Sequence, residues 1–280
     1  MTPKGFASMK RMNTLKAAVI GASLITLSGL AGSLHASTLV VEPEAKAESK
    51  HDEKAIDVIE KSFEAVGGRE LMESAEYIHT KGGLSIPAAG ITGSMETYVH
   101  APDKLFVLIN IPMIGEQKQG MNGDIAWSSD AMSGPRLLPE DEAEALREET
   151  NPASRLNFKN DHKVIEHAGE VEFDGQQAHK IRLVDNNDKE SFEYYSIDKG
   201  YMIGMEAKVP TQMGELQMTS YMREYKDMGG VLQPTKMVQK AGPQEFVITI
   251  NEVSYDEIDS SVFELPEAVK ALVKAQKKDD

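Results

Sequence analysis

The chain contains no cysteine, which excludes disulfides, thiolate catalysis and a mature N-terminal cysteine available for acylation. It also lacks a Gly-x-Ser-x-Gly nucleophile elbow, a phosphate-binding loop and a dinucleotide fingerprint, so no reading as a hydrolase, kinase or dehydrogenase rests on a motif. No His-Glu-x-x-His pair is present. His162 and His167 are five apart in a strand pattern, a spacing that places them on opposite faces, so they are not expected to share a metal ion. With His35 and His51 near the N-terminus, this leaves His79, His100, His162, His167 and His179 to surface or packing roles. Asp185 to Asp188 looks superficially like a calcium loop, but Lys189 stands where an oxygen ligand is needed, and the segment reads as a turn. The expectation is therefore a protein without catalytic residues, without a bound metal and without a cofactor.

Negative charge is missing from the start of the chain. Lys4, Lys10, Arg11 and Lys16 precede an apolar stretch from Ala17 to Leu34 and small residues around Ala36, the pattern of a secretory signal peptide over residues 1–36. Ala31, Ser33 and Ala36 all offer cleavage positions, with Ala36 preferred. An uncleaved anchor is the competing reading, because eighteen residues is near the lower limit for a span, but glycine, serine and threonine make the stretch weakly apolar. Cleavage removes four positive charges and takes the net charge from -15 to -19. A field of that sign repels nucleic acid and anionic headgroups. An exported protein without disulfides fits a bacterial periplasm.

Residues 37–51 are charged and short of large apolar side chains, and read as a flexible spacer. Residues 52–280 then form one domain. Ala55, Ile56, Ile59, Phe63 and Val66 recur at helical spacing between an N-capping Asp52 and a stop at Gly67-Gly68. From Ala75 the period changes to two. Tyr77, His79, Leu84, Ile86, Ile91, Met95, Tyr98, Leu105, Val107, Ile109 and Ile111 mark hairpin-connected strands, continued to Ser128. The acidic run Glu140 to Glu149 reads as a surface helix over the sheet opening, its charge a solvated face or a docking patch for a basic partner. A second meander runs from Lys163 to Tyr255, and a last helix starts at Pro266. This is a mainly β protein of eleven to thirteen strands and three helices: a single curled antiparallel sheet forming a half-open barrel, with helices over its concave side.

Several short stretches carry a resemblance. They are Ala65-Val66-Gly67-Gly68, Ala101-Pro102-Asp103-Lys104, Gly123-Asp124-Ile125-Ala126-Trp127, Tyr225 to Lys236, Asn251 to Asp259 and Phe263-Glu264-Leu265-Pro266. Together they resemble the outer-membrane lipoprotein-sorting protein family, with its LolA/LolB-like fold, over roughly Asp52 to Leu265. The resemblance implies a half-barrel of about eleven strands whose apolar cavity takes lipid or the acyl chains of lipoproteins, working as a monomer with an envelope protein as a further partner. It departs from the well-studied carriers in that none of Arg69, Arg136, Arg147, Arg155, Arg182 or Arg223 is marked as their cavity arginine.

The candidate cavity residues follow from side-chain character. Twelve of the fifteen methionines lie beyond residue 36, and a flexible thioether side chain suits cargo of variable shape as well as it fills a core. The candidates are Ile111, Met113 and Ile114 in an apolar loop, Met121, Trp127, and Met205, Met218 and Met222. The competing view is a filled barrel serving as a non-catalytic interaction module of the envelope.

Overall fold

The period-two pattern from Tyr77 onward folds as expected into paired strands, and the turns between them set a continuous ladder. The computed structural model describes residues 50–279, apart from 113, 152, 212 and 213. The expected signal segment, most of the expected spacer and the candidate Met113 lie outside the described residues. Strands are β1 (Lys50–His51), β2 (Tyr77–Ile86), β3 (Ile91–His100), β4 (Lys104–Ile111), β5 (Gly115–Asn122), β6 (Ile125–Asp130), β7 (Gly134–Leu137), β8 (His162–Phe173), β9 (Gln176–Asp185), β10 (Glu190–Ser196), β11 (Met202–Thr211), β12 (Gly214–Asp227), β13 (Leu232–Ala241) and β14 (Gln244–Ser254). Helices are α1 (Glu53–Ala65), α2 (Arg69–Ser74), α3 (Glu140–Thr150), α4 (Phe158–Asp161) and α5 (Glu267–Asp279). The two short helices α2 and α4 were not expected from the sequence, nor were the short edge strands β1, at the end of the expected spacer, and β7, which bring the strands to fourteen against the eleven to thirteen expected.

All the strands join one sheet in the order β1-β8-β9-β10-β11-β12-β13-β14-β2-β3-β4-β5-β6-β7, with β1 and β7 as its edges. The pairing is antiparallel throughout except that Lys50 and His51 run parallel to Val164 and Ile165. The long connection is the pairing of β14 with β2, which joins the two meanders into a single curled, open sheet. This is the half-barrel. Among the described residues no helix is long and apolar enough to cross a membrane.

Local chemistry explains the helix ends. Asp52 Oδ1 accepts from Lys54 N at 2.8 Å and caps α1. Gly67 and Gly68, both at positive φ, end it, with Gly68 N donating to Phe63 O at 2.8 Å. At the other end of the chain the Pro266 carbonyl accepts from Lys270 N, so Pro266 caps α5 rather than beginning it.

α1 and α3 pack on the same face of the sheet, the inner face of the curl. Ala55, Val58, Ile59 and Phe63 of α1 bury against Ile165, Ile181, Leu183 and Tyr195. The N-terminal end of α1 is anchored at β8, where Asp52 N donates to Ile165 O, and its C-terminal end meets β13, where Leu232 N donates to Val66 O. At 1.5 Å per residue its thirteen residues cover about 20 Å, a crossing of several strands. Ala143 and Leu146 of α3 bury against the other end of the inner face, among Ile78, Leu84, Met95, Leu105, Ile109 and Met121.

The outer face is aromatic. Tyr77 stacks on His100 and His79 on Tyr98, and Phe106 links Tyr98 to Trp127. Further round, Phe173 stacks on Tyr194 and Tyr221. Each patch lies over a glycine: a Cβ at Gly120 would come within 2.7 Å of the Trp127 ring, and one at Gly204 within 2.4 Å of Phe173. Glycine is required at both positions because a ring occupies the space above the strand.

Candidate binding face

The residues singled out in the sequence do not form one cluster. Registers decide where each one goes. Met205 pairs with Ser220, and Met222 with Met237, while Met218 stands opposite Ala207 and Ala241. Met205, Met218 and Met222 thus share the inner face of β11 and β12, and Met237 on β13, which sequence reasoning did not single out, joins them. Ile111 and Met121 also face inward, in the cluster beneath α3, to which Met237 also belongs, so that cluster adjoins the methionine strip. Ile114 sits in the β4–β5 turn and is 39% exposed.

Trp127 stands apart from the rest. Its neighbour Ala126 joins the inner cluster, so strand alternation turns Trp127 to the outer face, over Gly120 and beside Phe106. It is 2% exposed. The register therefore gives this tryptophan a packing role on the outer face, not the place in the cavity expected of it from the sequence.

Met218 and Met222 are buried and Met205 is half-buried, so the methionine strip is covered by the protein's own side chains. Polar atoms are buried with it. Ser220 Oγ, between Met218 and Met222 on β12, has no hydrogen-bond partner, nor does Thr80 Oγ1 on the inner face of β2. The Gln233 side chain, 0% exposed at the start of β13, has neither its amide nitrogen nor its oxygen paired. An unpaired buried polar group costs about 1–3 kcal/mol. These atoms are the polar points of an otherwise apolar face.

Under α1 the inner face also carries charge. Arg155, half-buried in the turn before α4, donates to Glu193 Oε1 at 2.8 Å and to Tyr195 Oη at 3.1 Å, and Tyr195 donates to Glu193 Oε2. Glu193 is buried. Burial by itself would push its carboxyl up, but the Arg155 charge and the hydrogen bonds from Tyr195 and Arg155 outweigh it and hold the group below the usual range. Burial and then the Glu193 charge push the Tyr195 hydroxyl well above its ordinary value. One sequence signal was available for this pair: Ser191, Glu193 and Tyr195 alternate, so a carboxylate shares its face with a core aromatic.

Further along the same end, His167, Glu170 and His179 come together. Burial, then the charge of His167, lowers the pKa of His179 below its ordinary value. On the outer side a cleft of about 480 Å³ is lined by His79, Lys81, Glu252 and Ser254 together with the turn at Asp227 to Gly229. That lining is mixed, with the polar and charged side chains of His79, Lys81, Asp227 and Glu252 beside Met228 and Val253, unlike the methionine strip.

An open, curled antiparallel sheet with helices laid over its inner face defines the class of half-open barrels. More particularly, the fold is LolA-like. A LolA superfamily protein from Nitrosomonas europaea superimposes with a TM-score of 0.51 at 14% identity, covering 75% of this chain and 97% of that one. A DUF1329 family protein from Desulfovibrio piger gives 0.55 at 13% identity, with 78% and 98% covered. A domain described as an outer membrane lipoprotein-sorting protein domain, from Vibrio parahaemolyticus, gives 0.51 at 12% identity, with 79% and 99% covered. No protein-family model matches the chain, and no curated protein matches it.

Proposed function

We propose that this protein is a periplasmic carrier that shields the acyl chains of lipids or lipoproteins on the inner face of its half-barrel. The observation that carries the reading is the strip of Met205, Met218, Met222 and Met237, in which Ser220, Thr80 and Gln233 present unpaired polar atoms. An apolar strip with a few orphaned donors and acceptors suits an amphiphile, with its chain on the methionines and its ester or amide groups on the polar points. Burying a dozen methylenes at ~0.8 kcal/mol each supplies roughly 10 kcal/mol before ordering costs, enough for reversible capture. No chemical step is required, so the protein is read as a non-enzyme. The sorting-protein description of the Vibrio domain supports the same reading.

Because the strip is covered in this conformation, cargo enters by movement of a helix. α3 is the element suited to move. Among the described side chains it is held by the apolar contacts of Ala143 and Leu146, by the exposed pair of Arg136 with Glu142, and by Thr150 Oγ1 donating to Pro102 O at its C-terminal end. Thr150 makes the natural pivot.

The burial of Met218 and Met222 equally favours the second reading, a barrel filled by its own side chains that serves as an accessory module of the envelope. Native mass spectrometry of protein recovered from the envelope fraction separates the two. A discrete added mass resolving into lipid or acylated peptide is the expected result. A bare polypeptide that also refuses added fatty acid would overturn the carrier reading in favour of the module. Trp127 emission should stay nearly constant on loading, because the ring is on the outer face.

A further inference from the structure

We infer that His167, Glu170 and His179 form a binding site for a single first-row divalent metal ion, of which zinc is the representative. The inference stands apart from the acyl-chain reading and from the methionine strip.

A β-bulge makes the site. In a regular strand residues three apart point to opposite faces, so His167 and Glu170 would be separated. Here the register of β8 against β9 shifts between His167 and Gly169: His167 faces Ile181, Gly169 faces Lys180 and Glu170 faces His179. The extra residue, Ala168, is absorbed at Gly169, whose φ of 117° is open to glycine and strained for other residues. The bulge returns Glu170 to the face of His167, directly across from His179. Bulges that re-aim a side chain in this way recur beside functional sites.

The spacing suits a metal. His167 Nε2 and His179 Nδ1 are 3.2 Å apart. Two nitrogens bound at 2.0–2.1 Å to a tetrahedral zinc ion are separated by about 3.3 Å. Glu170 Oε1 is 3.7 Å from His179 Nδ1, and the three donor atoms all lie within 4.8 Å of one another. Two imidazoles and a carboxylate leave a fourth position for water or a donor from cargo, and imidazole suits zinc, copper, nickel and iron. The two rings meet edge to face at 61°, with Nε2 of His167 approaching Nδ1 of His179.

The surroundings hold the ligands in place. Asp52, the α1 cap, accepts from the His167 backbone amide at 3.4 Å, which ties that stretch of β8 to the start of α1. Lys54, on the first turn of the same helix, places its ammonium 3.4 Å from Glu170 Oε1. Both groups of this pair are more than half exposed, so the ammonium can swing away and free the carboxylate for an ion. Lys54 is thus a competitor for the site.

Zinc titration of the purified protein by calorimetry, with cobalt(II) absorption as an optical check, decides the matter. One equivalent of zinc is expected. His167→Ala and His179→Ala should each weaken binding at least ~100-fold, since loss of outer-shell partners alone costs 10–100-fold. His100→Ala, on the outer face, should leave it unchanged. Lys54→Gln should tighten binding about fivefold by removing the competing charge. The inference is overturned if zinc binds no tighter than the His167→Ala and His179→Ala proteins bind it, since the 3.2 Å contact is then an ordinary imidazole hydrogen bond. If either histidine variant fails to fold, the exposed substitutions Glu170→Gln and Lys54→Gln decide. Weaker binding for the first and tighter for the second support the site, and no change in either refutes it.

Discussion

The two helix-covered ends of the inner face solve the same burial problem with different chemistry. Under α3 the sheet offers Ile78, Leu84, Met95, Leu105, Ile109 and Met121, and the helix answers with Ala143 and Leu146. Under α1 an apolar cluster of similar kind is joined by the Arg155, Glu193 and Tyr195 network and the His167, Glu170 and His179 group. Apolar contact is non-directional and tolerates sliding, whereas a buried ion pair with its hydrogen bonds fixes one geometry and fails badly when one partner is lost. The difference teaches which end is anchored and which can open.

The sharpest way to break the comparison is Arg155→Ala. It leaves Glu193 buried without its cation, and removing one partner of a buried pair costs about 3–5 kcal/mol. For a protein of this size that is a fall in melting temperature of roughly 6–20 °C. The pH dependence gives a second readout. Glu193 has its pKa held below the usual 4.5 when folded, so its contribution is complete above about pH 4.5 and is lost as the pH falls through the lower folded value. In the Arg155→Ala protein the burial that Arg155 opposed should raise the same carboxyl, which then favours folding in its protonated form. Thermal melts from pH 7 down to pH 4 should therefore show the gap between the two proteins narrowing. A gap that stays constant would mean that the pair is not the anchor.

Next in size is Leu146→Ala at the α3 end. Truncating a leucine that is 4% exposed should cost about 2–3 kcal/mol. A difference in kind is expected as well. If α3 is the mobile cover, the variant should bind a hydrophobic dye more readily than the parent at temperatures where both are folded. Ile59→Ala in α1, a loss of similar size from a residue 1% exposed, should not. Equal dye binding by the two variants would remove the distinction between the ends.

How far this contrast was legible in the sequence depends on the residue. The strands, the caps at Asp52 and Gly67-Gly68, the curled open sheet and its helices follow from period and turn chemistry, and the structure agrees. The choice of face for Trp127 was not legible, because alternation tells that Ala126 and Trp127 differ but not which of them faces inward. Met205 shares a face with Met218 and Met222 only because the pairing of β11 with β12 sets it opposite Ser220. Arg155 meets Glu193 across thirty-eight residues, a contact no local pattern reports. The His167 and Glu170 pairing was hidden for the opposite reason. A regular strand separates them, and one residue absorbed in a bulge brings them together.

The smallest expected effect tests whether α3 is held by charge at all. Arg136 reaches Glu142 with two hydrogen bonds, 3.2 and 2.7 Å long, and paired geometry of this kind is the strongest an arginine makes. Both side chains are nevertheless about a third or more exposed, at 41% and 32%. Water competes for the same groups, and exposed pairs of this kind are worth about 0.2–1 kcal/mol. Arg136→Ala should therefore lower stability by less than about 1 kcal/mol, and the change should shrink further in high salt, as screening removes what Coulomb attraction there is. A loss as large as that of Arg155→Ala, or one insensitive to salt, would mean that α3 is pinned as firmly as α1. The inner face would then have two anchors and no cover free to move, which is the state expected of a filled barrel.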